Sequence, residues 1–159
     1  MSLREHDASP RTKRIGSRRK VGSSPRAAPG EPTRALWTKA QAAAQSAQVL
    51  LDRADTDGAV NRSYYAVFDA ARAALATVRS SLAMSKRHGT IYRRFEKHLV
   101  QERGFDPSLG RAFLSRQRTA RQAADYETDQ VDEATARKAV GEMQAFLAAV
   151  EPILTRVKR

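Results

Sequence analysis

The chain has 159 residues, a formal net charge of +12 and no cysteine. That length holds one domain plus a tail, the missing thiols exclude disulfides and thiolate metal sites, and no run approaches the roughly 18 consecutive apolar residues of a transmembrane helix. The basic N-terminus is not followed by an apolar run, which argues against a secretory signal and leaves the cytoplasm as the expected location.

Residues 1–33 hold eight Lys or Arg against three acids and almost no large apolar side chain. This composition predicts a disordered basic tail, with the folded domain at 34–159. The run RTKRIGSRRK either touches nucleic acid non-specifically by counterion release or simply keeps the chain soluble. The remaining residues are also positive, 21 basic against 14 acidic, and such an excess favours a polyanionic partner.

From Thr33 onward the periodicity is helical, and no segment alternates long enough for a strand. Thr33 after Pro32 reads as an N-cap, opening a first helix that runs to about Ala54 through many alanines. DTDG (55–58) reads as a turn. A second helix is predicted from about Ala59 to Arg79. Val60, Tyr64, Val67, Phe68, Ala71, Leu75 and Val78 fall on its packing stripe at about 100° per residue, and Arg62, Tyr65, Asp69 and Arg72 fall opposite. That second face is either a solvated surface or a recognition face for a phosphate or a protein partner.

SLAMSKRHGT (81–90) reads as a loop with a basic tip, placing Lys86, Arg87 and His88 just before a third helix at about Ile91–Gln101. Backbone N–H groups at that helix start also suit an anion. GFDPSLG (104–110) breaks the third helix, and Pro107 suits the first turn of a fourth, which continues to about Ala124. The expected apolar face of the fourth helix carries Leu109, Ala112, Phe113, Ala120, Ala123 and Ala124. Arg111, Leu114, Arg118, Arg121 and Asp125 are expected on the other side. Arg121 and Asp125 are four apart and so placed to pair. Two arginines oriented by a carboxylate either hold a phosphate or form a surface ion pair of little energetic weight. A final helix from near Asp132 repeats Ala136, Val140, Met143, Leu147, Val150, Leu154 and Val157, a bundle seam. The histidines, His6, His88 and His98, have no metal-ligand spacing, so no metal and no cofactor are expected. The sum is an all-α, mostly antiparallel bundle of four to five helices.

NRSYYAVFDAARAAL, SKRHGTIYRRFEKHLV and LGRAFLSRQRTARQAADYE, followed by a long terminal helix, together resemble the HEPN-domain family over about residues 34–155. The closest likeness is to the prokaryotic branch often encoded beside a minimal nucleotidyltransferase. The resemblance implies a helical bundle that commonly forms a homodimer. In many members it implies a metal-independent ribonuclease site, in which an arginine is followed after four to six residues by a histidine late in the bundle. Here Arg121 is followed by Tyr126 where that histidine would stand. Tyrosine, with a pKa of about 10, is a poor base at neutral pH. Arg93 and Arg94 precede His98 at the motif's spacing, but in the wrong helix. In related systems a tyrosine near the arginine motif is adenylylated by the partner, which gives Tyr126 a second role.

Three functions therefore stand. The first is one component of a toxin–antitoxin-like module with a nucleotidyltransferase partner, binding nucleotide or RNA phosphate in a polar groove lined by Arg62, Tyr65, Asp69, Arg118 and Asp125 beside Arg121 and Tyr126. The second is an endoribonuclease toxin acting through Arg121, His88 and Tyr126. The third is a non-specific nucleic-acid-binding protein driven by the tail and the basic loop.

Overall fold

The computed structural model describes residues 30–155; the expected basic tail up to Pro29 and the seam residue Val157 lie outside the described residues. The described chain is all-α. Its helices are α1 (Glu31–Asp52), α2 (Thr56–Val78), the single turn α3 (Ser80–Ala83), α4 (His88–Phe95), α5 (Arg111–Tyr126) and α6 (Glu133–Thr155). α4 runs on into a π-helical segment, Glu96–Gln101, and a 3-10 turn, Pro107–Leu109, precedes α5. None of the helices among the described residues is long and apolar enough to cross a membrane.

α1 begins earlier than Thr33. Gly30 is the N-cap, Pro32 sits in the first turn where its missing N–H costs nothing, and Thr33 is a buried helical residue. The helix ends in a double backbone closure. Asp55 N donates to Leu50 O at 2.9 Å and Ala54 N to Leu51 O at 3.0 Å. This is the Schellman pattern, which requires a left-handed residue, and Ala54 supplies it at φ 61°. Asp55 then caps α2, its carboxylate accepting from Gly58 N at 2.9 Å. The expected DTDG turn is thus mostly the first turn of α2. A Cβ at Gly58 would lie 2.5 Å from the Asp55 carboxylate, so a side chain there would displace the cap.

α2 is the centre of the bundle, packed against α1, α6, α5, α3 and α4. Its alanines at 59, 66, 70, 71, 73 and 74 are fully buried, so neighbouring helices approach closely and α2 is enclosed on more sides than a two-faced pattern predicts. At the far end, Phe95, Phe105, Phe113 and Phe146 form an aromatic core, with ring centres 5.2 to 6.2 Å apart among them. Phe146, beside the expected seam residue Leu147, is the fully buried member of that pair on α6.

The expected loop at 81–90 is partly helical. α3 occupies its start, and its last carbonyls are held by two arginines. Arg72 Nε donates to Ala83 O at 2.9 Å and Arg94 Nη1 to Leu82 O at 2.8 Å. A one-turn helix has every carbonyl near its end, so these contacts do the work of a C-cap.

Candidate functional site

The inward face of α5 is rotated from the predicted one. Phe113, Leu114 and Gln117 are buried, whereas Ala112 is exposed. At 100° per residue Arg121 follows Leu114 and Gln117 rather than opposing the core, so it lies at the edge of the α2–α5 interface. There its guanidinium carbon sits 5.6 Å from the ring centre of Tyr64 and 5.4 Å from that of Tyr65, so it makes cation–π contacts with both members of an edge-on tyrosine pair in a partly desolvated place. Nη2 pairs with Asp125 Oδ2 at 2.8 Å, with both side chains about three-quarters covered. Asn61 Nδ2 donates to the other oxygen of Asp125 at 2.8 Å. Arg121 Nε is buried with no hydrogen-bond partner.

Asp57 accepts from Val131 N at 2.9 Å, which ties the segment after α5 to the first turn of α2. Asp132 then caps α6, accepting from Thr135 N and Thr135 Oγ1, each at 2.8 Å. These two bonds hold its carboxyl below the usual carboxylate range.

Beneath Arg121 lies a chain of hydroxyl and imidazole groups. Tyr92 Oη of α4 is 3.1 Å from Tyr64 Oη of α2, and Tyr64 Oη is in turn hydrogen-bonded to His88 Nδ1 at the start of α4. The His88 ring also packs on Phe68, with ring centres 4.7 Å apart. Burial, then the positive charges of Arg118 and Arg121, lower the His88 pKa from its ordinary value. Burial pushes the hydroxyls of Tyr64 and Tyr92 above the ordinary tyrosine value, against the pull of the same two arginines. The result is a neutral imidazole and two neutral phenols under two permanent cations.

The predicted site residues thus divide. Tyr65, His88, Arg118, Arg121 and Asp125 are brought to one end of the α2–α4–α5 contact. Asp69 is turned away: its carboxylate pairs with Arg72 Nη1 at 3.1 Å, beside the α3 carbonyl that Arg72 also holds. Arg62 is exposed and has no hydrogen-bond partner among the described residues. Tyr126 is 79% exposed at the end of α5. His98 pairs with Glu102 at 2.9 Å on the π-helical segment, and Arg94 is committed to α3, so the arginine–histidine spacing there builds no site.

The sequence reading missed Asn61, Tyr64 and Tyr92. Asn61 stands four before Tyr65 on the same face, a usable signal. Tyr64 falls on the packing stripe of α2, yet a buried tyrosine hydroxyl needs a partner.

A family model for the HEPN domain matches residues 33–153. A protein of Methanocaldococcus jannaschii named as a candidate toxin is 28% identical over 127 residues, covering 80% of this chain and 92% of that protein.

Proposed function

The chain belongs to the HEPN-domain family, and from that premise we propose that it is the toxin-like component of a two-protein module, binding an RNA or nucleotide phosphate where α5 meets α2 and α4. The observation that carries this reading is Arg121. Its guanidinium is oriented by Asp125 and rests against Tyr64 and Tyr65, and Arg118 is near enough for its charge to act on His88 as well. A guanidinium held in one geometry loses less freedom on meeting a phosphate than a mobile one does. Aromatic faces beside it suit an unstacked base. The similarity to a candidate toxin supports the toxin-like part of the reading.

The proposed partner is a minimal nucleotidyltransferase, a proposal that rests on the family likeness. Tyr126, exposed at the end of α5 and five residues beyond Arg121, is accessible to such an enzyme as a nucleotide acceptor. The testing experiment has two arms. Co-expression with a small nucleotidyltransferase encoded beside this gene is expected to give a co-purifying complex. Isolation of this chain alone from its native operon counts against the partner. Separately, Arg121→Ala is expected to weaken binding of a short single-stranded RNA by about tenfold or more; unchanged affinity counts against the site.

The ribonuclease reading has one observation of its own, the placing of His88, at the start of α4, within reach of the charges of Arg118 and Arg121. It predicts metal-independent cleavage of RNA that disappears in Arg121→Ala.

A further inference from the structure

The hydrogen-bond chain beneath Arg121 has a direction, and the direction decides what His88 can do. Tyr92 is 4% exposed, and the sole hydrogen-bond partner of its hydroxyl among the described residues is Tyr64 Oη. A buried hydroxyl hydrogen with one neighbour must be given to that neighbour, because leaving it unpaired forfeits the bond it had with water. Tyr64, itself 1% exposed, then accepts from Tyr92 and has one hydrogen left to donate. Its remaining partner is His88 Nδ1. Nδ1 is therefore an acceptor, and a neutral ring carries its proton on Nε2. The opposite polarity, with Nδ1–H donating to Tyr64 and Tyr64 to Tyr92, would strand the Tyr92 hydrogen in the core.

We infer that Tyr92 and Tyr64 are positioning residues that hold His88 as a neutral imidazole protonated on Nε2, so that it meets a phosphate as a hydrogen-bond donor rather than as a base. The inference rests on the phosphate-binding reading above and gives His88 a role in it. Nε2 has no protein partner among the described residues and is not one of the buried unpaired atoms, so it keeps access to solvent. The lowered pKa of His88, from burial and then Arg118 and Arg121, acts in the same sense, keeping the ring uncharged. A chain of such bonds is mutually polarising, and each donor strengthens the next. The ligand class is a phosphate oxyanion, with Arg118 and Arg121 supplying charge and His88 a neutral, directional N–H.

The test is nitrogen-15 NMR of the histidine rings in the full chain near neutral pH, with His88 assigned by its loss in His88→Asn. The expected signature is an unprotonated Nδ1 and a protonated Nε2. Tyr64→Phe removes the donor and is expected to give a tautomer mixture and about three- to tenfold weaker binding of AMP. Tyr92→Phe keeps the packing volume and frees Tyr64 to accept instead, so it too is expected to yield a mixture. Titration with inorganic phosphate, AMP and a short single-stranded RNA is expected to move the Nε2 proton, and the arm with the tightest response identifies the source of the phosphate. A wild-type ring protonated on Nδ1 overturns the inference whatever binds. A ring protonated on Nε2 that none of the three compounds perturbs overturns the donor role and the phosphate reading with it, while leaving the tautomer assignment standing.

Discussion

Asn61 of α2 donates to Asp125 of α5 over 2.8 Å, joining residues 64 apart in the chain. The bond occupies the carboxylate oxygen that Arg121 does not use. Asp125 is thus fixed from both sides, and through it so is the guanidinium. Removing the Asn61 amide releases one oxygen and lets the carboxylate rotate. Asn61→Ala is expected to cost about 1 kcal/mol of stability and to weaken RNA binding by roughly three- to tenfold. Denaturant titration and fluorescence anisotropy measure the two effects. Loss of stability with no loss of affinity would show that Asn61 merely joins two helices.

Ala54 occupies the left-handed position that closes α1, at φ 61°. A side chain there costs roughly 1–2 kcal/mol against glycine in the folded state, and part of this is offset because glycine gives the unfolded chain more freedom. Ala54→Gly is therefore expected to stabilise the domain by about 0.5–1 kcal/mol, seen as a higher denaturant midpoint with an unchanged slope. A fall in the midpoint would mean that the Schellman closure is not populated as described.

The sequence made the all-α class and the order of the long helices plain, because α1, α2 and α6 each repeat apolar residues at helical spacing over many turns. α5 was harder. Ala120 and Ala124 do pack against the core, but Ala112 is exposed, and the rotation of the inward face towards Leu114, Gln117 and Arg121 is set by what α2 presents to it. The start of α1 was misplaced because Thr33 looks like a cap, while Gly30 and the first-turn Pro32 do that work. Within the site, Arg121 and Asp125 were legible from their spacing alone. Asn61, Tyr64 and Tyr92 were not, since their roles depend on contacts between helices that no local pattern encodes. Asp69 and Arg72 show the converse: a face that looked suited to a phosphate is partly spent on closing α3.

His88 sets an acid limit on stability. Its folded pKa is lowered, chiefly by burial and then by Arg118 and Arg121. The unfolded chain therefore binds the proton more tightly, its histidine titrating at about 6.5. The contribution is present in full above about pH 6.5 and is lost as pH falls from there through the lower folded value. Unfolding free energy measured from pH 8 downwards is expected to decline across this window in wild type and to decline less in His88→Gln. Parallel curves for the two proteins would mean that the ring titrates as it does in the unfolded chain.

Arg72 and Arg118 separate structure from binding. Arg72 is largely covered, donates to the Ala83 carbonyl at 2.9 Å and lies over the Phe68 ring at 5.7 Å. Arg72→Met leaves that carbonyl and the Asp69 carboxylate without their donor, so it is expected to cost about 1–3 kcal/mol of stability. RNA affinity of the folded protein is expected to stay unchanged. Arg118 is exposed and has no hydrogen-bond partner among the described residues. Arg118→Met is expected to stay within about 0.5 kcal/mol of wild-type stability. Its RNA affinity is expected to fall several-fold, and the dependence of log affinity on log salt to flatten by about 0.7 for one lost contact to a single strand. The pair is informative because both changes remove one positive charge, so net charge alone predicts the same loss of affinity in each. Equal salt slopes in the two variants would mean that RNA meets the basic surface as a whole and that the aromatic cluster under Arg121 has no special claim on it.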